Sequence, residues 1–171
     1  MKKLLLLPLL ITLSTTILAK TPESLFGVYI NDNVLDYVTQ KELKSKSRDY
    51  ARGFYGLRLK TPPVSNKDYS DKLWVKIDKN NKIAQIKSQK QFQNLETCEK
   101  VEYGARKTLE TKYNIEFVRN PRTKYGFQKF FKDNAIGTQC KVFSDDETIL
   151  FITLQTIQYG RKYAESFDSK I

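Results

Sequence analysis

The chain of 171 residues contains no histidine, and this absence excludes several kinds of chemistry. A Ser-His-Asp triad, a Cys-His catalytic pair and a histidine-ligated zinc site all need an imidazole side chain. The sequence also lacks a glycine-rich phosphate loop, a Ser-x-x-Lys motif and a Gly-x-Ser-x-Gly nucleophile turn. It therefore offers no catalytic residue, no metal ligand and no cofactor site, which favours a non-enzymatic role.

Cysteine is nearly absent, because Cys98 and Cys140 are the only two. A redox pair or a thiolate metal site is the alternative to a disulfide. Redox pairs usually lie close together in a sequence, however, and two thiolates without histidine make a poor metal site. An even number of cysteines in an oxidising compartment favours a disulfide. We therefore predict a Cys98–Cys140 disulfide, which would contribute about 4 kcal/mol for a loop of this length.

A long apolar run occurs only at the N-terminus. Lys2 and Lys3 precede an almost uncharged segment that ends at Ala19, a residue small enough to precede a signal-peptidase cut. This segment is shorter than the ~20 residues that cross a bilayer, which argues against the alternative of an uncleaved anchor. Residues 1–19 are thus predicted to be a cleaved secretory signal peptide. Residues 20–171 are predicted to form one exported domain, periplasmic or secreted, without a transmembrane anchor.

Apolar periodicity predicts an α+β fold for this domain. Residues 72–88 alternate with a period of two around an Asn-Asn turn, which is typical of a β-hairpin. After Asn94, a potential helix cap, apolar residues recur every three or four positions as far as Leu109. This pattern predicts a central helix that carries Cys98 on its apolar face. We expect an antiparallel sheet of five to seven strands with this helix packed across it, plus short N- and C-terminal helices.

The remaining segments carry weaker signals. Thr39 and Glu42 have the spacing of a capping box, within a region, 33–47, that we predict to hold one or two short helices. Thr148 to Thr156 is the most apolar segment after the leader and is predicted to be a central strand. Further strands or extended segments are predicted over 25–30, 53–60, 115–118, 125–132 and 138–143.

Positive charge is in excess along the predicted mature chain. Lys2 and Lys3 leave with the leader, so the 30 basic residues become 28 against 19 acidic ones, a net charge of +9. Residues 40–60 and 99–132 each carry an excess of +5, and the second stretch interleaves its basic residues with aromatic ones. This pattern is typical of an anion-binding surface. The candidate anion-binding residues are Arg106, Lys107, Arg119, Arg122, Lys124 and Lys129.

Two plainer interpretations of the charge remain open. Lysines on a solvated surface maintain solubility without binding anything, and aromatic residues that alternate along strands are typical of a core. Because the chain is predicted to be exported, we expect no nucleic-acid partner. The expected partner is instead an anionic envelope component or an acidic protein.

The sequence therefore favours a binding or accessory protein of the cell envelope, with two alternatives. A secreted enzyme inhibitor would present a rigid loop such as Pro62-Pro63. A hydrolase would need two facing carboxylates, which any two distant acidic residues can supply. The run Asp145 to Glu147 has oxygen ligands suited to calcium, but it lacks the EF-hand pattern and is more typical of an acidic turn.

Overall fold

The computed structural model describes residues 19–49, 51–123 and 126–168. The predicted leader, residues 1–19, lies outside this description except for Ala19, so its cleavage stays a prediction. The backbone N–H of Lys20 donates a hydrogen bond to the carbonyl of Tyr113 at 2.9 Å, so the described chain joins the fold at its start. Within these ranges, no helix has the length and apolar character needed to cross a membrane.

Strands dominate the described chain and alternate with short helices. The first half contains β1 (Ser24–Leu25), β2 (Val28–Tyr29), a 3-10 turn (Val34–Asp36), α1 (Gln40–Leu43), β3 (Ser47–Arg48), β4 (Phe54–Leu59), β5 (Lys72–Asp78) and β6 (Ile83–Phe92). The second half contains α2 (Leu95–Tyr113), β7 (Val118–Arg119), β8 (Gly126–Phe130), β9 (Asn134–Ser144), β10 (Glu147–Thr156) and α3 (Ile157–Asp168).

One large antiparallel sheet holds the strands β3 to β10 in the order β3-β4-β5-β6-β10-β9-β8-β7, and β1 pairs with β2 separately. The α+β class and the antiparallel sheet are therefore confirmed. The expected number of five to seven strands is wrong, because the sheet has eight. The two edge strands, β3 and β7, contain two residues each. β3 was not predicted, because so short a segment cannot show the alternation from which strands are predicted, whereas β7 overlaps the predicted segment 115–118 at Val118.

The centre of the sheet is the pairing of β6 with β10, which joins the two halves of the chain. Lys87 lies opposite Thr153 and Ile86 lies opposite Leu154 in this register. α2 packs across β6, β10 and β9 from one side, as the sequence predicted. Apolar side chains that alternate toward α2 form the core; those almost without solvent exposure include Val75, Ile77, Ile83, Ile86, Ile136, Leu150 and Leu154.

The predicted disulfide is confirmed and lies inside this core. It joins Cys98 in the first turn of α2 to Cys140 in β9, with the two Cα atoms 6.1 Å apart. Asn94 caps the helix as predicted, since its side chain accepts a hydrogen bond from the backbone N–H of Thr97 at 2.9 Å. The helix ends at Asn114, whose left-handed backbone (φ 51°) stops further helical turns.

The N-terminal helices are shorter than expected. The capping box of Thr39 and Glu42 is present, but α1 ends at Leu43 and the residues 47 and 48 form a strand instead. Ser47, the last residue of the region that was predicted to be helical, pairs instead with Gly56 of β4 at the edge of the sheet. The predicted segment 25–30 is in fact two tiny strands, which are joined by a turn at Phe26 and Gly27 with positive φ at both residues.

Candidate functional site

The face of the sheet opposite α2 is open and concave. It forms a groove of about 740 Å³ that crosses β5, β6, β10, β9 and β8. Because side chains alternate along a strand, one set of side chains faces the groove and the other faces the core under α2. Five glutamine side chains from four strands line the groove: Gln85, Gln89, Gln128, Gln139 and Gln155.

Three lysines, Lys76 of β5, Lys87 of β6 and Lys141 of β9, also line the groove. Lys87 lies on the central strand, with its Nζ atom 3.9 Å from the centre of the Phe151 ring. Burial, helped by the nearby positive charges of Lys76 and Lys141 and opposed by the charge of Asp49, lowers the pKa of Lys87 to about 8. The groove therefore holds a cation in surroundings that disfavour its charge.

The carboxylate of Asp49, which faces the groove, already accepts hydrogen bonds from two protein side chains. Asp49 is the only acidic residue among the described residues that line it, and the Asp49 side chain is 3% exposed. Its Oδ1 atom accepts a hydrogen bond from Lys76 Nζ at 3.0 Å, and its Oδ2 atom accepts one from the Tyr159 hydroxyl at 2.6 Å. Lys76 is thereby balanced. Within the described chain, no carboxylate lies at ion-pair distance from Lys87 or Lys141.

Some of the glutamine side chains in the groove form hydrogen bonds with other side chains, and some do not. Gln85 Nε2 donates to Gln155 Oε1 at 2.7 Å, and the indole N–H of Trp74 donates to Gln89 Oε1 at 3.1 Å. No described residue forms a side-chain hydrogen bond with four other polar groups of the lining: Thr123, Gln128, Gln139 and Thr153. These groups can donate to and accept from a bound molecule.

Small residues deepen the groove on the β9 side. Gly137 lies in the middle of β9, where a Cβ atom would come within 3.1 Å of the backbone carbonyl oxygen of Phe127. A glycine inside a strand is often a place where another group approaches the backbone closely. Large aromatic side chains stand at the rim, and two of them are more than half exposed: Phe130 at 57% and Phe143 at 51%.

Two of the sequence-predicted anion-binding residues lie on α2, away from the groove. Arg106 Nε is 3.1 Å from a carboxylate oxygen of Glu102, and its guanidinium carbon is 4.0 Å from the centre of the Phe127 ring. Lys107 Nζ is 2.7 Å from a carboxylate oxygen of Glu110, and this hydrogen bond raises the pKa of Lys107. The charge of Arg106 is therefore used inside the protein rather than offered to a ligand.

Three of the other predicted residues lie along the β7–β8 edge. Arg119 is opposite Phe127, and Lys129 shares the face of β8 on which Phe127 lies, the side covered by α2. Arg122 is exposed in the turn before β8, and Lys124 lies outside the described residues. The structure thus brings Arg106, Phe127 and Arg119 together on the α2 side of the sheet. Anion binding by these residues stays a prediction.

The groove lysines were missed, although the sequence contains a signal for them. In the segment 85–89, Gln-Ile-Lys-Ser-Gln, the glutamines and the lysine fall on one face of a strand. Trp74 and Lys76 share one face of the neighbouring strand in the same way. The pattern indicates a polar face on each strand separately. It does not indicate which strands are neighbours, and the groove depends on the pairing of β6 with β10.

Two sequence features remain, the acidic run from Asp145 and the Pro62-Pro63 loop, and a role of this loop in an enzyme inhibitor stays a prediction. Asp145 and Asp146 occupy the exposed turn between β9 and β10, as expected for an acidic turn. Across the described ranges, no cluster of three or more acidic or sulfur side chains is close enough to hold a metal ion. The Pro62-Pro63 loop lies against the β1–β2 turn, where the N–H of Val64 donates to the carbonyl of Phe26 at 3.2 Å.

Comparison with known proteins adds no identity to this description. No protein-family model, no curated protein and no solved structure matches the chain. The function has to be argued from the groove and its charges.

Proposed function

We propose that the protein is a non-enzymatic binding protein of the cell envelope or the extracellular space, which takes up an anionic ligand in the open groove. The observation that carries the proposal is the position of Lys87 on the floor of the groove, with no described carboxylate at ion-pair distance. A partly buried cation without a counter-ion at ion-pair distance lowers the stability of a fold. An anion that enters the groove would remove this cost and bind with favourable energy.

The position of Lys87 favours a ligand that enters the groove. A flat surface would touch only the rim of the groove. Lys141 is exposed, whereas Lys87 is partly buried, with its Nζ atom over the ring of Phe151. An anionic group that reached both lysines would lie between β6 and β9. The uncommitted amides of Gln128 and Gln139 flank the same space on the β8 side.

Two further observations bear on compartment and on the alternatives. The Cys98–Cys140 disulfide is compatible with an oxidising compartment outside the cytosol. A carboxylate hydrolase needs two acidic side chains on opposite sides of its substrate, and the described lining of the groove supplies Asp49 alone. The groove therefore supports binding in preference to hydrolysis.

The chain contains one tryptophan, Trp74, and it lines the groove, so its fluorescence reports on occupancy. We would titrate the protein, from Lys20 onward, with two soluble carboxylate probes, trigalacturonate and triglutamate. At least one should change the fluorescence saturably, with an affinity that falls as salt rises. Lys87→Gln should weaken that affinity by about tenfold or more, because it removes the central cation.

The matched control is Lys79→Gln, which removes the same charge from the exposed turn between β5 and β6. This variant should bind within about twofold of the unaltered protein, since exposed charges at this distance are screened. Failure of both probes to bind, or equal losses in the two variants, would contradict the proposed function.

A further inference from the structure

The length of the groove indicates a ligand of several linked units. The groove spans five neighbouring strands from Trp74 on β5 to Gln128 on β8, which corresponds to about 19 Å across the sheet. Its volume of about 740 Å³ lies in the range of sites that enclose organic ligands much larger than a single inorganic anion. A phosphate or sulfate ion would fill only the space around the lysines.

The polar lining indicates a ligand that carries hydroxyl groups as well as negative charge. Lysine ammonium groups only donate hydrogen bonds and thus suit carboxylate oxygens, whereas glutamine amides and threonine hydroxyls both donate and accept. The uncommitted groups Gln128, Gln139 and Thr153 are spread over β8, β9 and β10. Sugar hydroxyls, which also both donate and accept, match this distribution along the whole groove.

The aromatic side chains at the groove suit the apolar faces of sugar rings. Trp74 lies at the β5 end, and Phe130 and Phe143 are exposed near the opposite side. One face of a sugar ring carries C–H groups that pack against an aromatic ring by dispersion. The flat floor at Ala135 and Gly137 leaves room for a ring to lie close to the sheet.

Two other anionic partners fit the groove less well. A membrane surface attracts lysines that protrude toward it, but Lys87 lies on a concave floor that lipid headgroups in a flat surface do not reach. Extended peptides usually add a strand to an exposed sheet edge. The groove instead crosses the middle of the sheet, where the backbone groups of β6, β10 and β9 already pair with one another.

We infer that the ligand of the groove is an acidic oligosaccharide, whose carboxylates meet Lys87 and Lys141 and whose hydroxyls meet the amides of β8 and β9. The inference rests on the proposed function and specifies its ligand. It involves binding only, so no bond forms or breaks in the sugar.

The test compares three probes of similar length by Trp74 fluorescence: trigalacturonate, triglutamate and the neutral sugar maltotriose. Trigalacturonate should bind about tenfold or more tightly than either of the others, because only it offers both carboxylates and ring hydroxyls. Gln139→Met keeps the length of the side chain and removes its amide. It should weaken trigalacturonate binding by about fivefold and change triglutamate binding by less than about twofold.

The matched control is Gln91→Met, a glutamine that is exposed on β6 and does not line the groove. It should leave the affinity for trigalacturonate unchanged, and circular dichroism should show the same fold for both variants. Triglutamate binding as tight as trigalacturonate would overturn the acidic sugar while leaving the proposed anion-binding function in place. Maltotriose binding as tight as trigalacturonate, or no binding of either acidic probe, would overturn both.

Discussion

Glu102, on the α2 side of the central sheet, and Lys87, on its open side, are two charged residues in opposite situations. On the α2 side, Glu102 is 4% exposed and its carboxylate accepts hydrogen bonds from Arg106 and from the hydroxyl of Thr138. On the open side, Lys87 faces the ring of Phe151 and no described carboxylate pairs with it. A charge neutralised within the protein stabilises the arrangement around it, whereas a charge left without a partner is typical of a site that receives one.

The largest expected effect is on the α2 side, from loss of the disulfide. The double variant Cys98→Ala/Cys140→Ala should lower the free energy of unfolding by about 4 kcal/mol, because the unfolded chain regains the freedom of the closed loop. Urea unfolding measures this change. Affinity of the folded protein for trigalacturonate should stay within about twofold, since the bridge lies on the face away from the groove. A loss below about 1 kcal/mol would contradict a stabilising role for the bridge.

The second prediction concerns the ion pair between Glu102 and Arg106 on the same side. Glu102→Leu should lower the free energy of unfolding by about 3 kcal/mol, because buried Arg106 would keep only Glu110, at 3.7 Å. Glu99→Leu, which alters an exposed carboxylate of α2, is the matched control and should change it by less than about 0.5 kcal/mol. Equal effects in the two variants, measured by urea unfolding, would mean that the buried ion pair has no special role.

The third prediction concerns Lys87 on the open side. Removing its charge should raise the free energy of unfolding, whereas the first two changes lower it. The pKa of Lys87 falls from 10.5 to about 8 in the fold, mainly through burial. Between about pH 8 and 10.5, Lys87 is neutral in the folded protein and charged in the unfolded chain, so unfolding takes up a proton. The charge of Lys87 therefore destabilises the fold fully below pH 8 and no longer does so above pH 10.5. Lys87→Met should accordingly raise the free energy of unfolding by about 2 kcal/mol at pH 7.

Urea unfolding at pH 7, 9 and 10.5 checks both the size and the pH window of this effect. The difference between Lys87→Met and the unaltered protein should shrink as pH rises through the window between the two pKa values of Lys87. Lys79→Met serves as the exposed control and should show no comparable trend. A Lys87→Met variant that is less stable than the unaltered protein at pH 7 would remove the contrast between the two faces.

The smallest expected effect concerns Asp49, the one carboxylate of the groove lining that is paired as Glu102 is. Tyr159→Phe removes one of the two donors to Asp49 and should lower the free energy of unfolding by about 1.5 kcal/mol. Tyr163→Phe alters the neighbouring, more exposed tyrosine of α3 and should have a smaller effect. Thermal or urea unfolding measures both, and the opposite ranking would contradict the importance of the Asp49 bond.

The sequence predicted α2 but not the groove, because local signals specify a helix whereas the groove depends on contacts between distant parts of the chain. Helix periodicity, the cap at Asn94 and the cysteine count are local or compositional signals, and together they predicted α2 and its disulfide. The groove depends on which strands are neighbours, and Lys87 meets Thr153 only through a pairing between distant parts of the chain. The charge-rich stretch 99–132 drew attention because its charges are adjacent in sequence. In the fold, Arg106 is ion-paired there with glutamates of its own helix.

The sheet edges illustrate the same limit. The hairpin β5–β6 was predicted within a few residues, because its strands are long enough to alternate. Strands β3 and β7 have two residues each and exist because longer neighbours offer them hydrogen bonds. The strand that the sequence did not predict is β3, whereas β7 overlaps the predicted segment 115–118 at Val118.

The most direct test of whether Lys87 lacks a counter-ion in the groove is its own pKa, measured by NMR on protein with ¹³C-labelled lysine. Lys87→Met would identify the signal. The account predicts a pKa near 8 in the free protein, and a higher value when trigalacturonate is bound, because a carboxylate nearby favours the charged amine. A Lys87 pKa close to 10.5 in the free protein, unchanged by the probe, would contradict the account.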